Sequence, residues 1–296
     1  MDVAGRVALV TGASSGFGRL TALELARRGW RTFGAFRGTA GGFDAASAEL
    51  REAAGGDAAN IEAVRIDVTD DASVTDGVHS VHERAGRIDA LINVAGYGVH
   101  GPWPTISVAD FKAQLETNLV GMYRMCLAVE PFMRSRGAGW IVNVSSDAAI
   151  RTSFWEVAYS ASKYGVEGMS LGMRLESAHA GIRVSVVEPG WYKDTNYETA
   201  MVSTVDWERP TGTYAELVRV MVENQGKVEW GKPGAERVGE RIADLLEMDD
   251  PPFRNPVEAS SVRRDNVPVE DYERELFEFY SMQEFRGPWT RATARR

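Results

Sequence analysis

Between Arg6 and Glu188 short apolar runs, many of them β-branched, recur along the chain. Each is followed by polar or glycine-rich turn residues and then by a longer stretch with helical spacing. The runs are Val7 to Val10, Thr32 to Phe36, Ala63 to Ile66, Ala90 to Val94, Trp140 to Val144 and Arg183 to Val187. A strand that is apolar at every position is buried on both faces, and strands that alternate with helices pair in parallel through right-handed crossovers. In an intervening segment Val74, Val78, Val81 and Ala85 stand at i, i+4, i+7 and i+11, which draws one apolar stripe along a helix. The pattern therefore predicts an α/β fold, a doubly wound parallel sheet with helices on both faces.

The first run leads straight into Thr11-Gly12-Ala13-Ser14-Ser15-Gly16-Phe17-Gly18, and a helical stretch with Leu20, Leu23, Leu25 and Ala26 follows. Glycines at a strand-to-helix turn let the backbone curl and approach a pyrophosphate, whose charge meets free N–H groups at the helix N-terminus. This is the Rossmann-type arrangement, so Gly12, Ser14, Ser15, Gly16, Phe17 and Gly18 are expected to hold a dinucleotide. A site that selects NAD offers a carboxylate to the ribose 2′-hydroxyl about 20 residues further on. Here the corresponding stretch reads Phe36-Arg37-Gly38. A guanidinium pairs with a 2′-phosphate, and Ser14 can add a hydrogen bond, so the expected cofactor is NADP(H).

Tyr159 and Lys163 are four apart in a helical pattern, which puts both side chains on one face. A free tyrosine has a pKa near 10, and a neighbouring ammonium favours its phenolate, so the pair suits acid–base work. Composition narrows the remaining possibilities. Asp and Glu total 42 against 33 Lys and Arg, for a net charge of -9, which argues against bulk attraction to nucleic acid or an anionic membrane. One cysteine, Cys126, excludes an internal disulfide and a cysteine-rich zinc site; no metal is expected, and a reducing, cytoplasmic setting fits. No apolar run reaches membrane-spanning length.

Further ordered elements accompany the glycine loop. They are Asp67-Val68, Asn93-Val94-Ala95-Gly96, Asn118, Ser146, Tyr159-Ser160-Ala161-Ser162-Lys163 and Pro189-Gly190. Together they resemble the short-chain dehydrogenase/reductase family over roughly residues 5 to 257. The resemblance implies that Tyr159 transfers a proton, that Lys163 also holds the nicotinamide ribose, that Ser146 orients the substrate oxygen and that Asn118 organises a water-linked proton path. It also implies that Asp67 bonds the adenine amino group, with Val68 against the ring. Asn93, Ala95, Gly96, Pro189 and Gly190 complete the cofactor contacts. Thr195 takes the place of a threonine that touches the carboxamide, although Trp191-Tyr192-Lys193-Asp194 makes the spacing slightly long. Phe17 replaces a smaller aliphatic residue beside the nicotinamide.

Residues 1–264 are expected to form one domain and 265–296 a C-terminal tail with an apolar helical face of Tyr272, Leu276, Phe279 and Tyr280. Residues 191–232 carry many aromatics without a strand period, so they read as a lid over the substrate or as a helical pair packed on the body. His100, Arg151, Trp155, Trp191 and Tyr192 are expected to shape the substrate site, with Arg151 and Lys193 able to meet an anionic group. These features point to an oxidoreductase that interconverts a bulky ketone and a secondary alcohol. An epimerase or dehydratase on the same scaffold and a non-catalytic NADP-sensing protein are the alternatives. By resemblance the chain forms a homodimer or homotetramer.

Overall fold

The computed structural model describes residues 5–38, 41–225, 234–257 and Glu278. The tail expected from 265 and its apolar face lie outside the described residues. β1 (Val7–Thr11), β2 (Arg31–Phe36), β3 (Ile61–Arg65), β4 (Ala90–Asn93), β6 (Gly139–Val144), β7 (Ile182–Glu188) and β9 (Arg254–Pro256) form one sheet, in the order β3-β2-β1-β4-β6-β7-β9. Every pairing in it is parallel. All six strands expected before residue 189 are present, and the sheet's last edge falls within the expected stretch 253 to 257. β3 starts two residues before the expected Ala63, because buried Ile61 pairs with Thr32.

Neighbouring residues of one strand serve opposite faces. Ala8 and Val10 of β1 pack with α1 (Gly16–Arg27) and α9 (Glu236–Glu247), through Leu25, Val238 and Ile242. Val7 and Leu9 face α3 (Asp71–Ala85) and α5 (Gly121–Arg136), where the stripe Val74, Val78 and Val81 meets Met125 and Val129. This two-sided burial is why the strands read as continuous apolar runs. Each such side chain contributes about 1.5–3 kcal/mol on leaving water. α2 (Phe43–Ala54), α4 (Val108–Leu115) and α6 (Val157–Ser177) complete the layers.

The chain builds β1, β2 and β3 outward in one direction, then returns to lay β4 on the other side of β1. Loops leaving β1 and β4 diverge at this switch point and open a crevice at the strands' C-terminal ends, the usual ligand position in such sheets. Over the crevice runs residues 191–225. They hold α7 (Tyr197–Ala200), the two-residue β8 (Val202–Ser203) and α8 (Ala215–Gln225). β8 pairs with an equally short β5 (Val99–His100) outside the main sheet. Among the described residues no helix is long and apolar enough to cross a membrane.

Candidate active site

The glycine loop joins β1 to α1 at the crevice. Gly12 has φ +69°, and a Cβ there would lie 3.0 Å from the Ala95 backbone; one on Gly18 would lie 2.3 Å from the Gly12 carbonyl oxygen. Only glycine fits either position, so the turn is tight and β4's loop lies against it. The Thr11 hydroxyl accepts from the amides of Val94 (3.0 Å) and Ala95 (3.1 Å), which fixes the two loops together. No side chain caps the α1 N-terminus, leaving its first amides for a ligand. The groove here has a volume of 860 Å³ and is lined by Gly12, Ser14, Ser15, Gly16, Phe17, Gly18, Arg37, Asp67, Val68, Ala95, Gly96 and Thr195. A cradle of this shape, with backbone amides at one end and an exposed guanidinium at the β2 terminus, fits a dinucleotide phosphate.

Asp67 accepts from the Thr69 amide (3.0 Å) and hydroxyl (2.7 Å). Partial burial raises its carboxyl, but these bonds and the Arg37 charge outweigh that and hold it below the usual carboxylate range. Asn93 is the exception among the expected cofactor residues. It is fully buried, and its amide donates to Asn143 (2.9 Å) and Cys126 (3.4 Å), so it ties β4 to β6 instead of lining the groove. Cys126 itself is buried, and its thiol is pushed up to about 12.

At the groove's inner end a second cavity of 110 Å³ is lined by Ser145, Ser146, Tyr159 and Lys163, by Pro189, Gly190, Trp191 and Tyr192, and by Phe17 and Thr195. Ser146 and Tyr159 face this cavity together, and the serine hydroxyl favours the phenolate. The Ser146 hydroxyl also accepts from the Ala148 amide (3.1 Å), whereas the neighbouring Ser145 hydroxyl is buried without a protein partner at the same wall. The chain alternates faces at this strand end, and Ser146 is the serine brought to the phenol. An orphaned hydroxyl beside Pro189 and Gly190 further fits a polar ligand such as a carboxamide.

Lys163 is 4% exposed, and its ammonium donates to the Val144 carbonyl (2.8 Å) at 5.7 Å from the Tyr159 ring centre. Burial depresses it to about 8, with Glu167 acting in the opposite sense. The Tyr159 phenol is raised above its ordinary value, first by burial and then by Glu156 and Asp147, with Ser146 and Tyr197 opposing. Asn118 sits in a π-turn, Glu116–Val120, between α4 and α5, a local widening common at functional sites. Its amide donates to the Tyr97 carbonyl (2.9 Å) and Ser162 (3.1 Å) and accepts from the Tyr97 amide (3.1 Å).

The substrate-side expectations divide. Trp191 and Tyr192 line the cavity, and Tyr192 meets Phe17 edge-on at 5.6 Å. His100 lies behind it, 5% exposed, with its imidazole lowered by burial to about 4 and therefore neutral. Trp155 and Arg151 are placed elsewhere. Trp155 packs with Val218 and Met221 of α8, and its indole N–H donates to Met221 Sδ, so it anchors the overlying segment from outside the cavity. Arg151 is turned to the Ile150 carbonyl (3.1 Å), and Lys193 is exposed.

Two residues of the overlying segment went unrecognised in the sequence. Asn196 donates to the Ser15 hydroxyl (2.9 Å), latching the segment onto the glycine loop. Tyr197 lines both cavities and meets the Tyr159 ring edge-on. Tyr197 was visible only as one more aromatic in residues 191–232, and nothing local marks either contact.

The profile of the short chain dehydrogenase family matches residues 6–206. The chain belongs to that family. It is 31% identical over 255 residues to 3-ketodihydrosphingosine reductase of Bacteroides thetaiotaomicron, covering 85% of this chain and 87% of that protein. Levodione reductase of Leifsonia aquatica is 34% identical over 216 residues, 73% of this chain and 79% of its own. A short-chain dehydrogenase from Streptomyces avermitilis superposes with a TM-score of 0.76 at 28% identity, covering 94% of this chain and 98% of that one. The protein is thus an oxidoreductase of the short-chain dehydrogenase family, whose members use a nicotinamide cofactor.

Proposed function

We propose that the protein is an NADP(H)-dependent oxidoreductase that interconverts a ketone and a secondary alcohol on a substrate with a bulky apolar or aromatic body. The observation that carries this reading is the convergence of Ser146, Tyr159 and Lys163 on one cavity that adjoins the dinucleotide groove. A bound nicotinamide supplies the hydride in reduction and accepts it in oxidation. Tyr159, kept protonated by burial and by Glu156 and Asp147, donates its proton to the substrate oxygen in the reductive direction. Ser146, on the same cavity, holds the same oxygen, while the Lys163 charge offsets the phenolate left behind. Phe17, Trp191 and Tyr192 supply an apolar wall.

Arg37, exposed at the end of β2 and lining the groove, carries the NADP preference by pairing with a 2′-phosphate. Two relatives named as reductases, one of a 3-keto compound, agree with the direction proposed. We further infer a homodimer or homotetramer. Tyr123 and Leu127 of α5 and Tyr164, Leu171 and Leu175 of α6 are all 45–73% exposed, more apolar surface than a helix pair leaves in water alone. Light scattering on the purified protein reads that mass directly. The test of activity is a panel of ketones with NADPH: a ketone reductase consumes one NADPH per alcohol formed. An epimerase or dehydratase yields product without net consumption, and a sensing protein binds NADPH without product.

A further inference from the structure

The cavity beside Tyr159 holds 110 Å³, below the roughly 300–1,000 Å³ typical of pockets that enclose a drug-sized ligand. A ketone with an aromatic body therefore needs the space of a side chain already there. Tyr197 is that side chain. Its hydroxyl lies 3.0 Å from His100 Nε2, and its ring lines the same cavity as the Tyr159 ring. Its ring stands edge-on to three others, 5.8 Å from that of Tyr159, 5.9 Å from His100 and 5.6 Å from Trp191.

The arrangement is built into the backbone. Gly98 lies beneath the pair, where a Cβ would come within 2.5 Å of the Tyr197 hydroxyl and 2.7 Å of His100 Nε2. The Val202 amide donates to the Gly98 carbonyl (2.8 Å), and the Thr204 amide donates to the His100 carbonyl (2.9 Å), so the chain after Tyr197 is stitched to the strand that carries the histidine. Tyr197 lines both the cavity and the groove, so its side chain borders the space that a substrate enters.

The Tyr197 hydroxyl, in the cavity beside Tyr159, resembles the alcohol product: an oxygen on carbon, carrying one proton. A substrate oxygen that takes a proton from Tyr159 must come to the same place, and two oxygens cannot occupy it together. We propose that Tyr197 determines the specificity of this pocket. Its hydroxyl keeps the substrate oxygen's place on Tyr159, secured by His100, and it yields to an aryl or cyclic ketone whose ring takes over the contacts of the tyrosine ring with Tyr159 and Trp191. The inference rests on the reading of Tyr159 as the proton donor.

Acetophenone binding to the protein saturated with NADP+, a pairing that cannot turn over, tests it by calorimetry in the unmodified protein, Tyr197→Phe and Tyr197→Ala. Tyr197→Phe removes the hydroxyl that the ketone oxygen must otherwise displace, so its dissociation constant falls about threefold to tenfold. Tyr197→Ala also admits bulkier aryl ketones that the unmodified protein excludes. Equal or weaker acetophenone binding by Tyr197→Phe overturns the proposal. The expected tightening without NADPH turnover of any ketone leaves the place-holder standing and removes the ketone reductase reading. No acetophenone binding by any of the three proteins counts against both.

Discussion

The phosphate end of the dinucleotide groove is shaped by a tight backbone turn, whereas the reacting cavity is closed by side chains brought from far along the chain. At the groove, the Gly18 position leaves no room for a Cβ against the Gly12 carbonyl, and Thr11 ties the β1 and β4 loops through two amides. At the cavity, Tyr159 on α6 meets Tyr197 on the overlying segment, which is held in turn by His100 on β5. Backbone walls tolerate little change and bind one shape. Walls made of side chains can repack, so the same scaffold keeps its cofactor while its substrate varies.

The largest effect that would break this division is expected at Tyr159. Tyr159→Phe deletes the transferable proton and keeps the ring, so NADPH-dependent ketone reduction should fall at least about a hundredfold. NADPH affinity, measured by fluorescence titration, should stay within about twofold, because the groove's contacts are untouched. Near-normal turnover by this variant would remove Tyr159 from the chemistry.

At the opposite end, Arg37→Asp trades a guanidinium for a carboxylate where a 2′-phosphate is expected. The ratio of NADH to NADPH dissociation constants should shift by about tenfold to a hundredfold toward NADH, with ketone KM little altered. An unmodified protein that binds both nucleotides equally would show that Arg37 does not read the phosphate.

The same division decides what the sequence discloses. The groove could be read because its requirements are local: a tight turn needs Gly12 and Gly18 within one loop, and a strand buried on both faces leaves an unbroken apolar run such as Val7 to Val10. Tyr159 and Lys163 were equally legible, being one helical turn apart. Tyr197 and Asn196 were not. Their partners, His100 and Ser15, lie 97 and 181 residues away, and no periodicity records a contact made through a loop. Trp155 and Asn93 mislead for a related reason, since sequence position brings a residue near a site without saying which way its side chain turns. Trp155 turns to α8 and Asn93 to β6.

Lys163 sharpens the comparison through pH, because its burial moves activity and stability in opposite directions. Its ammonium is depressed from 10.5 to about 8 in the folded protein. As pH rises through about 8 the folded protein loses the charge that steadies the Tyr159 phenolate, and kcat should fall by up to about tenfold per pH unit. Between about 8 and 10.5 the unfolded chain still binds that proton and the folded one does not, so this residue's contribution to stability rises with pH. Lys163→Met should abolish the stability gain in thermal melts taken across this window. An unchanged gain would assign it to other groups.

The smallest effect is expected at Trp155, which joins the overlying segment to the body without touching the cavity. It is 7% exposed and, alone among described non-glycine residues, has positive φ, at +67°. A bulky residue is rare in that left-handed region and costs on the order of 1–3 kcal/mol there, so neighbouring contacts must hold it. The Gly101 amide donates to its carbonyl (3.1 Å) next to β5, and its ring packs with Val218 and Met221 of α8. One residue thus fastens α8 to the strand end that carries His100. Trp155→Ala removes the ring and keeps the carbonyl, so α8 loosens while the glycine loop and Arg37 stay as they are. The expected result is a rise in ketone KM of about threefold to fivefold with kcat nearly constant, as for other residues that govern lid position. NADPH affinity should not change, since the Asn196 latch on Ser15 lies at the other end of the segment. Equal losses of NADPH and ketone affinity would mean that residues 191–225 close over both ligands as one rigid flap, and that the groove and the cavity are not independent halves.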